Sequence, residues 1–314
     1  MAKIRPVRPG GTLGFVGPSG AAPDPGMVEE AARMARGWGY GVKIGPSATA
    51  RYGYLSGEDP LRAGDLNRMF RDEDVDGVVC VRGGYGLPRI LDRLDYPAIA
   101  RSGKGLLGYS DITALHLALW THCQLPSLHG PMPTTEWVRP GFAGFTQDSL
   151  TALLEDRQTG KPLANPPGCA QPQALRGGCC EGVLVGGNLS LVCALMGTPH
   201  MPDLRGKILL LEDVDEYLYR IDRMLTQLRL AGAFSACAGV VLGAFTRCEP
   251  QYPDRSLTLE QILQDCVAEG TKGPVLSGLM IGHCREKISL ALGVRYRLDA
   301  AAGTLTPLES PFGH

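Results

Sequence analysis

Through the first half of the chain, short apolar runs that stop at glycine alternate with longer segments whose apolar residues recur at helical spacing. "TLGFVGPSG" reads as a buried strand closed by a glycine turn, "PGMVEEAARMARGWG" as a helix flanked by Pro and Gly, and "YGVKIG" as the next strand. The pattern then predicts a helix over Asp59–Arg71, a central strand in "VDGVVCVRGG", a helix in "LPRILDRL", and a strand in "GKGLLGYS" that runs into a further helix after Ser110. Helices between successive strands act as crossovers. The expected class is therefore α/β, with a doubly wound parallel sheet in the first half.

The stretch "RQTGKPLANPPGCAQPQ", residues 157–173, is rich in proline and has no apolar period, so it reads as a linker. It divides the 314 residues into segments 1–156 and 174–314, each of ordinary domain size. The second segment, with "EGVLVGGNLSLVCALMG", "GKILLLEDVDEYLYRIDRMLTQL", "CAGVVLGAF" and "GPVLSGLMIGHCREKISLALG", again mixes short strands with helices. "VRYRLDAAAGTLTPLE" predicts a β-hairpin turning at Ala302 and Gly303.

A net charge of -1 leaves no footprint for nucleic acid or an anionic membrane surface, so neither is expected as a partner. The first apolar stretch is broken by Gly11, Gly14, Gly17 and Pro18, and no run approaches the roughly eighteen apolar residues of a membrane span. A cytoplasmic protein is expected. The ten cysteines are scattered in apolar strings and read as reduced core thiols. Cys179 and Cys180 are adjacent and lack CxxC spacing, so no metal is expected, and no organic cofactor.

Sites in parallel sheets form past the carboxyl ends of strands, and three such places carry unusual residues. In "RGGYG", Arg82–Gly86, consecutive glycines let backbone N–H groups converge on an anion or oxyanion, although a glycine turn there also has purely steric uses. Ser110, in "GYSDIT", either caps the helix that follows or stands as a nucleophile on a sharp strand-to-helix turn, with the amide of Asp111 facing developing charge. A nucleophile needs a base. Of the six histidines, His116 and His122 fall in the helix after Ser110, His129 and His200 adjoin prolines in loops, and His314 is terminal. His283 directly follows the apolar run "VLSGLMIG", with Gly282 leaving space beside it. Glu212 ends the apolar run of "KILLLEDVDE", where a carboxylate needs hydrogen-bond donors such as an imidazole N–H; Asp213, Asp215 and Glu216 compete for that role.

Taken together, "RGGYG", "GYSDIT", "GGNLSLVCALMGTP", "LLLEDVDEYLYRIDRML" and "IGHCREKISLALG" resemble the LD-carboxypeptidase family of serine peptidases, in order from about Gly11 to about Leu298. That family includes muramoyltetrapeptide carboxypeptidases and microcin C self-immunity proteins. The resemblance implies a flavodoxin-like first domain and a swivelling-type mixed α/β second domain. It implies a triad of Ser110, Glu212 and His283, and an oxyanion hole from the amides of Gly84, or its neighbour Gly83, and Asp111. The implied reaction removes a terminal D-alanine from a murein tetrapeptide by way of an acyl enzyme, in a homodimer engaged in cell-wall peptide recycling.

Tyr85 and Arg220 are candidate substrate contacts, with Arg223 near the latter, though a surface ion pair accounts for such arginines equally well. The microcin-type activity, cleavage of an aminoacyl-nucleotide conjugate, calls for an aromatic clamp, for which Trp137 is the candidate. One departure is Ala291, near which the family carries proline; it bears on the shape of the adjoining pocket. The competing class is a binding module in which "RGGYG" cradles an anion and Ser110 only caps.

Overall fold

The fold is that of a computed structural model, which describes residues 2–142 and 144–313; His314 lies outside the described residues. Five strands follow the expected alternation: β1 (Thr12–Val16), β2 (Gly41–Ile44), β3 (Gly77–Cys80), β4 (Gly105–Gly108) and β5 (Ser127–His129). Between them run α1 (Gly26–Gly37), α2 (Asp59–Arg71), α3 (Tyr96–Ser102) and α4 (Thr113–Cys123), with α5 (Phe145–Leu154) beyond β5. The strands pair in parallel in the order 2-1-3-4-5, the doubly wound arrangement. β3 and β4 are buried along their whole length, as expected of strands covered on both faces. Leu106 alone, fully inaccessible, contributes about 2–3 kcal/mol of apolar burial.

A second sheet is built from β6 (Gln173–Arg176), β7 (Cys179–Asn188), β8 (Ile208–Val214), β9 (Gly239–Thr246) and β10 (Val275–Ser277), with α6 (Leu189–Leu195) packed on it and α7 (Leu218–Leu230) packed against α6. The chain then returns to the first sheet. β11 (Leu290–Leu292) pairs antiparallel with β5, before β12 (Arg295–Asp299) and β13 (Thr304–Pro307) complete the second sheet as the expected hairpin. Both sheets are thus mixed, of six and seven strands.

"LPRILDRL" is helical as expected, forming a 3-10 helix over Leu87–Arg93 entered from Gly86 at φ +118. Two local expectations are corrected. β10 ends at Ser277, so His283 sits on a loop rather than at the strand end. His129 belongs to β5 and is fully buried, because Gly130 and Pro131 only begin the loop after it.

Of the ten cysteines, Cys80, Cys193, Cys237, Cys248 and Cys266 are buried, and Cys179 is exposed. No helix among the described residues is long and apolar enough to cross a membrane.

Candidate active site

Ser110 follows β4 at φ +67, a left-handed conformation that costs a non-glycine residue about 1 kcal/mol. Crowding explains why the chain turns there. A Cβ at Gly108 would stand 3.0 Å from Ile112 and 3.2 Å from Cys80, so any side chain there would push its neighbours aside. The Asp111 carboxylate points inward, accepting from the Leu87 N–H at 2.9 Å and from the Ser19 hydroxyl, and burial raises its pKa. Beneath the turn, His116 donates from Nε2 to the Gly108 carbonyl at 2.9 Å and accepts from Ser127 at 2.8 Å. The Ser110 hydroxyl makes no helix cap; it lies 3.0 Å from His283 Nε2.

β8 sorts the acids of "EDVDE". Glu212 and Asp213 point to opposite faces of the strand, as neighbours must. Asp213 accepts from Asn188 and from the backbone and hydroxyl of Ser190 at the start of α6. Asp215 pairs with Arg247, and Glu216 lies 3.4 Å from Arg220. Glu212 alone of the four meets an imidazole: His283 Nδ1 donates to its Oε2 at 2.7 Å. Its carboxylate is fully buried, and Oε1 has no partner among the described residues. Gly282, at φ +106, is needed for this approach, since a Cβ there would fall 2.2 Å from Glu212 Oε2. With Nδ1 donating, Nε2 is left to accept the serine proton, the tautomer a general base requires.

The glycine loop lies against Ser110. A Cβ at Gly83 would stand 2.9 Å from Ser110 Cβ and 3.1 Å from its Oγ. The Gly83 carbonyl accepts from Gly20 N–H at 2.9 Å, so the Gly84 N–H of the same trans peptide points to the opposite side, away from Gly20. Gly84 has φ +102, which disfavours any side chain.

A cleft of about 500 Å³ opens beside His283. Tyr109 forms part of its wall, its ring 4.9 Å from the His283 ring. Its hydroxyl donates to Glu136 at 2.5 Å and accepts from Lys287 at 3.0 Å, while Lys287 pairs with Glu136 at 2.8 Å. Burial, then the Glu136 charge, holds the Tyr109 hydroxyl well above its ordinary pKa. Burial likewise pushes the Cys284 thiol up to about 11, which keeps it from competing as a nucleophile. No group of three or more His, Cys, Asp or Glu among the described residues is placed to hold a metal.

Residues 13–130 match the LD-carboxypeptidase N-terminal domain and residues 181–298 the LD-carboxypeptidase C-terminal domain. A probable murein peptide carboxypeptidase of Bacillus subtilis is 36% identical over 302 residues, 96% of this chain and 93% of that protein. The chain belongs to the LD-carboxypeptidase family. It is accordingly a peptidase, with relatives named as carboxypeptidases. Among solved structures, muramoyltetrapeptide carboxypeptidase from Oxalobacter formigenes superimposes with TM-score 0.81 at 29% identity, covering 94% of this chain and 97% of that one. The microcin C7 self-immunity protein MccF, solved with aspartyl sulfamoyl adenosine, gives TM-score 0.90 at 23% identity, covering 99% of both chains, and so shares the fold.

The other candidate residues lie elsewhere. Arg220 is exposed beside Glu216 and lies over the rings of Tyr217 and Tyr219, and it is not among the residues lining the cleft. Tyr85 is 56% exposed, edge-on to Tyr54 at 5.5 Å. Trp137, the proposed aromatic clamp, is buried against Phe15 and Trp38, and its Nε1–H donates to the Pro131 carbonyl, so no ring face is free to stack on a base. Ala291 lies in β11, paired with Leu128, and does not line the cleft. Sequence reasoning missed the Tyr109–Glu136–Lys287 network and the arginines of the cleft. Their only sequence signal was a lysine in "HCREKISLAL", where burial could not be read.

Proposed function

We propose that the chain is a serine LD-carboxypeptidase that removes a terminal D-alanine from a murein tetrapeptide. One observation carries the reading: Ser110, His283 and Glu212 stand in a continuous hydrogen-bonded line, at 3.0 and 2.7 Å, and His283 also lines a cleft. Ser110 Oγ attacks the scissile carbonyl as His283 Nε2 takes its proton, and buried Glu212 stabilises the imidazolium that results. The N–H groups of Gly84 and Asp111 receive the oxyanion. His283 then returns the proton to the departing amine, and a water activated by the same imidazole releases the acyl group.

The division of labour follows the chain. Segment 1–156 supplies nucleophile and oxyanion amides, segment 174–314 supplies base and acid, and 157–173 joins them. The test offers matched tetrapeptides ending in D-alanine, L-alanine and D-alanine amide, with released amino acid read by mass spectrometry. Cleavage confined to the free D-alanine peptide is expected; equal cleavage of all three overturns the carboxypeptidase reading.

A further inference from the structure

The cleft beside His283 carries more positive charge than its own acids balance. Arg139, Arg247, Arg285 and Lys287 all line it. Lys287 is neutralised by Glu136 at 2.8 Å and Arg247 by Asp215 at 2.5 Å. Arg139 and Arg285 have no acidic partner among the described residues.

Both line one cleft, and a glycine leaves room between their segments. Gly141, at φ +89, leaves its Cβ position 3.8 Å from Arg285 Nη2, so the Arg285 guanidinium lies beside the loop that carries Arg139. Burial pulls the Arg82 guanidinium, at the start of the glycine loop, below its ordinary pKa, and the charges of Arg139 and Arg51 pull it further. The excess is local, since the whole chain carries a net charge of -1. Guanidinium groups held near one another repel unless an anion lies among them, and their planar forks match a carboxylate with two parallel hydrogen bonds.

We propose that Arg139 and Arg285 form a subsite for a carboxylate of the substrate, in the cleft that His283 lines. The ligand's identity as a peptide rests on the function proposed above; the charge argument does not. Two parts of such a peptide offer this chemistry: the C-terminal carboxylate of the leaving residue, and a side-chain carboxylate on the diamino acid before it.

The experiment uses the full chain carrying Ser110→Ala, so that ligands bind without turnover, with and without Arg139→Gln and Arg285→Gln together. Calorimetric titration compares N-acetyl-L-lysyl-D-alanine, its C-terminal amide, and N-acetyl-meso-diaminopimelyl-D-alanine amide. The double substitution is expected to weaken a carboxylate-bearing ligand by about ten- to a hundredfold and to leave the neutral-ended lysyl amide within about twofold. Loss confined to the first ligand assigns the terminal carboxylate, and loss confined to the third assigns the side chain. The subsite is overturned if acid and amide forms bind the Ser110→Ala chain equally, if neither acid form binds measurably, or if all three ligands lose the same factor. Both arginines are exposed, and unchanged melting temperatures check that the variants fold. Discriminating binding with no cleavage of the same peptides by the unsubstituted chain would remove the proposed reaction and keep the subsite; cleavage without discrimination would do the reverse.

Discussion

The turn that carries Ser110 and the loop that carries His283 meet at one hydrogen bond, yet they are held in opposite ways. The turn is shaped mainly by its own neighbours: Gly108 gives room to Ile112 and Cys80, and His116 grips the Gly108 carbonyl from the helix that follows. The loop after β10 is held by distant residues. Asn165, within the proline-rich 157–173 stretch, accepts from Met280 N–H and donates to the Gly278 carbonyl, both at 2.8 Å. Thr146 and Ser149 in α5 accept from the amides of Lys287 and Ser289. Ser110 is placed by a short motif; the loop of His283 depends on contacts more than a hundred residues away in sequence.

The largest effect should come from the meeting point. Ser110→Ala is expected to lower kcat by about four orders of magnitude or more, with the melting temperature unchanged, because one hydroxyl is lost and no fold contact. Release of D-alanine by the variant at the unsubstituted rate would end the comparison, since the two regions would then not share a reaction.

The turn can be loosened by acid. Burial lowers the His116 pKa from 6.5 to about 4, so the folded state keeps the ring neutral while the unfolded chain protonates it. Stability from this group is complete above about pH 6.5 and is lost as pH falls toward 4, on the order of 3 kcal/mol in all. Urea titrations across that range check it. His116→Gln should flatten the slope there, and an unchanged slope would show that the turn does not depend on a neutral ring.

The loop is tested from its remote anchor. Asn165→Ala leaves Met280 N–H and Gly278 C=O without their partner, at a cost of about 1–3 kcal/mol, and should reduce kcat by roughly tenfold as His283 loses its fixed position. Full activity with lowered stability would confine Asn165 to a structural role. The smallest effect belongs to Arg220→Ala: an exposed pair with Glu216 predicts a change under about 0.5 kcal/mol in stability and within about twofold in kcat/KM. A tenfold rise in KM would return Arg220 to the substrate.

The same contrast explains what could be read in the sequence. Periodicity located β1 to β4, α2 to the residue, and the closing hairpin, because each is decided by burial over a few adjacent residues. Ser110, Glu212 and His283, which the structure brings together, could be singled out because each follows or ends an apolar run, and Gly282 because a glycine there leaves room for close approach. β11 was not: Leu290–Leu292 is three residues long, and its partner Ser127–His129 lies in the other half of the chain. The role of Lys287 was hidden for a related reason, since a lysine reads as solvated until its carboxylate, here Glu136, is found.

The late arrival of β11 sets an order of events during synthesis. Until Leu290–Leu292 emerge, β5 presents an open row of N–H and C=O groups, the kind of edge that recruits a strand from another chain. A fragment ending at Asp156 should therefore self-associate, which light scattering would reveal, whereas the full chain closes that edge with its own residues. The sheet that seats Ser110 is finished by a strand made long after it, so a ribosome that stalls short of residue 292 releases a sticky, unfinished sheet.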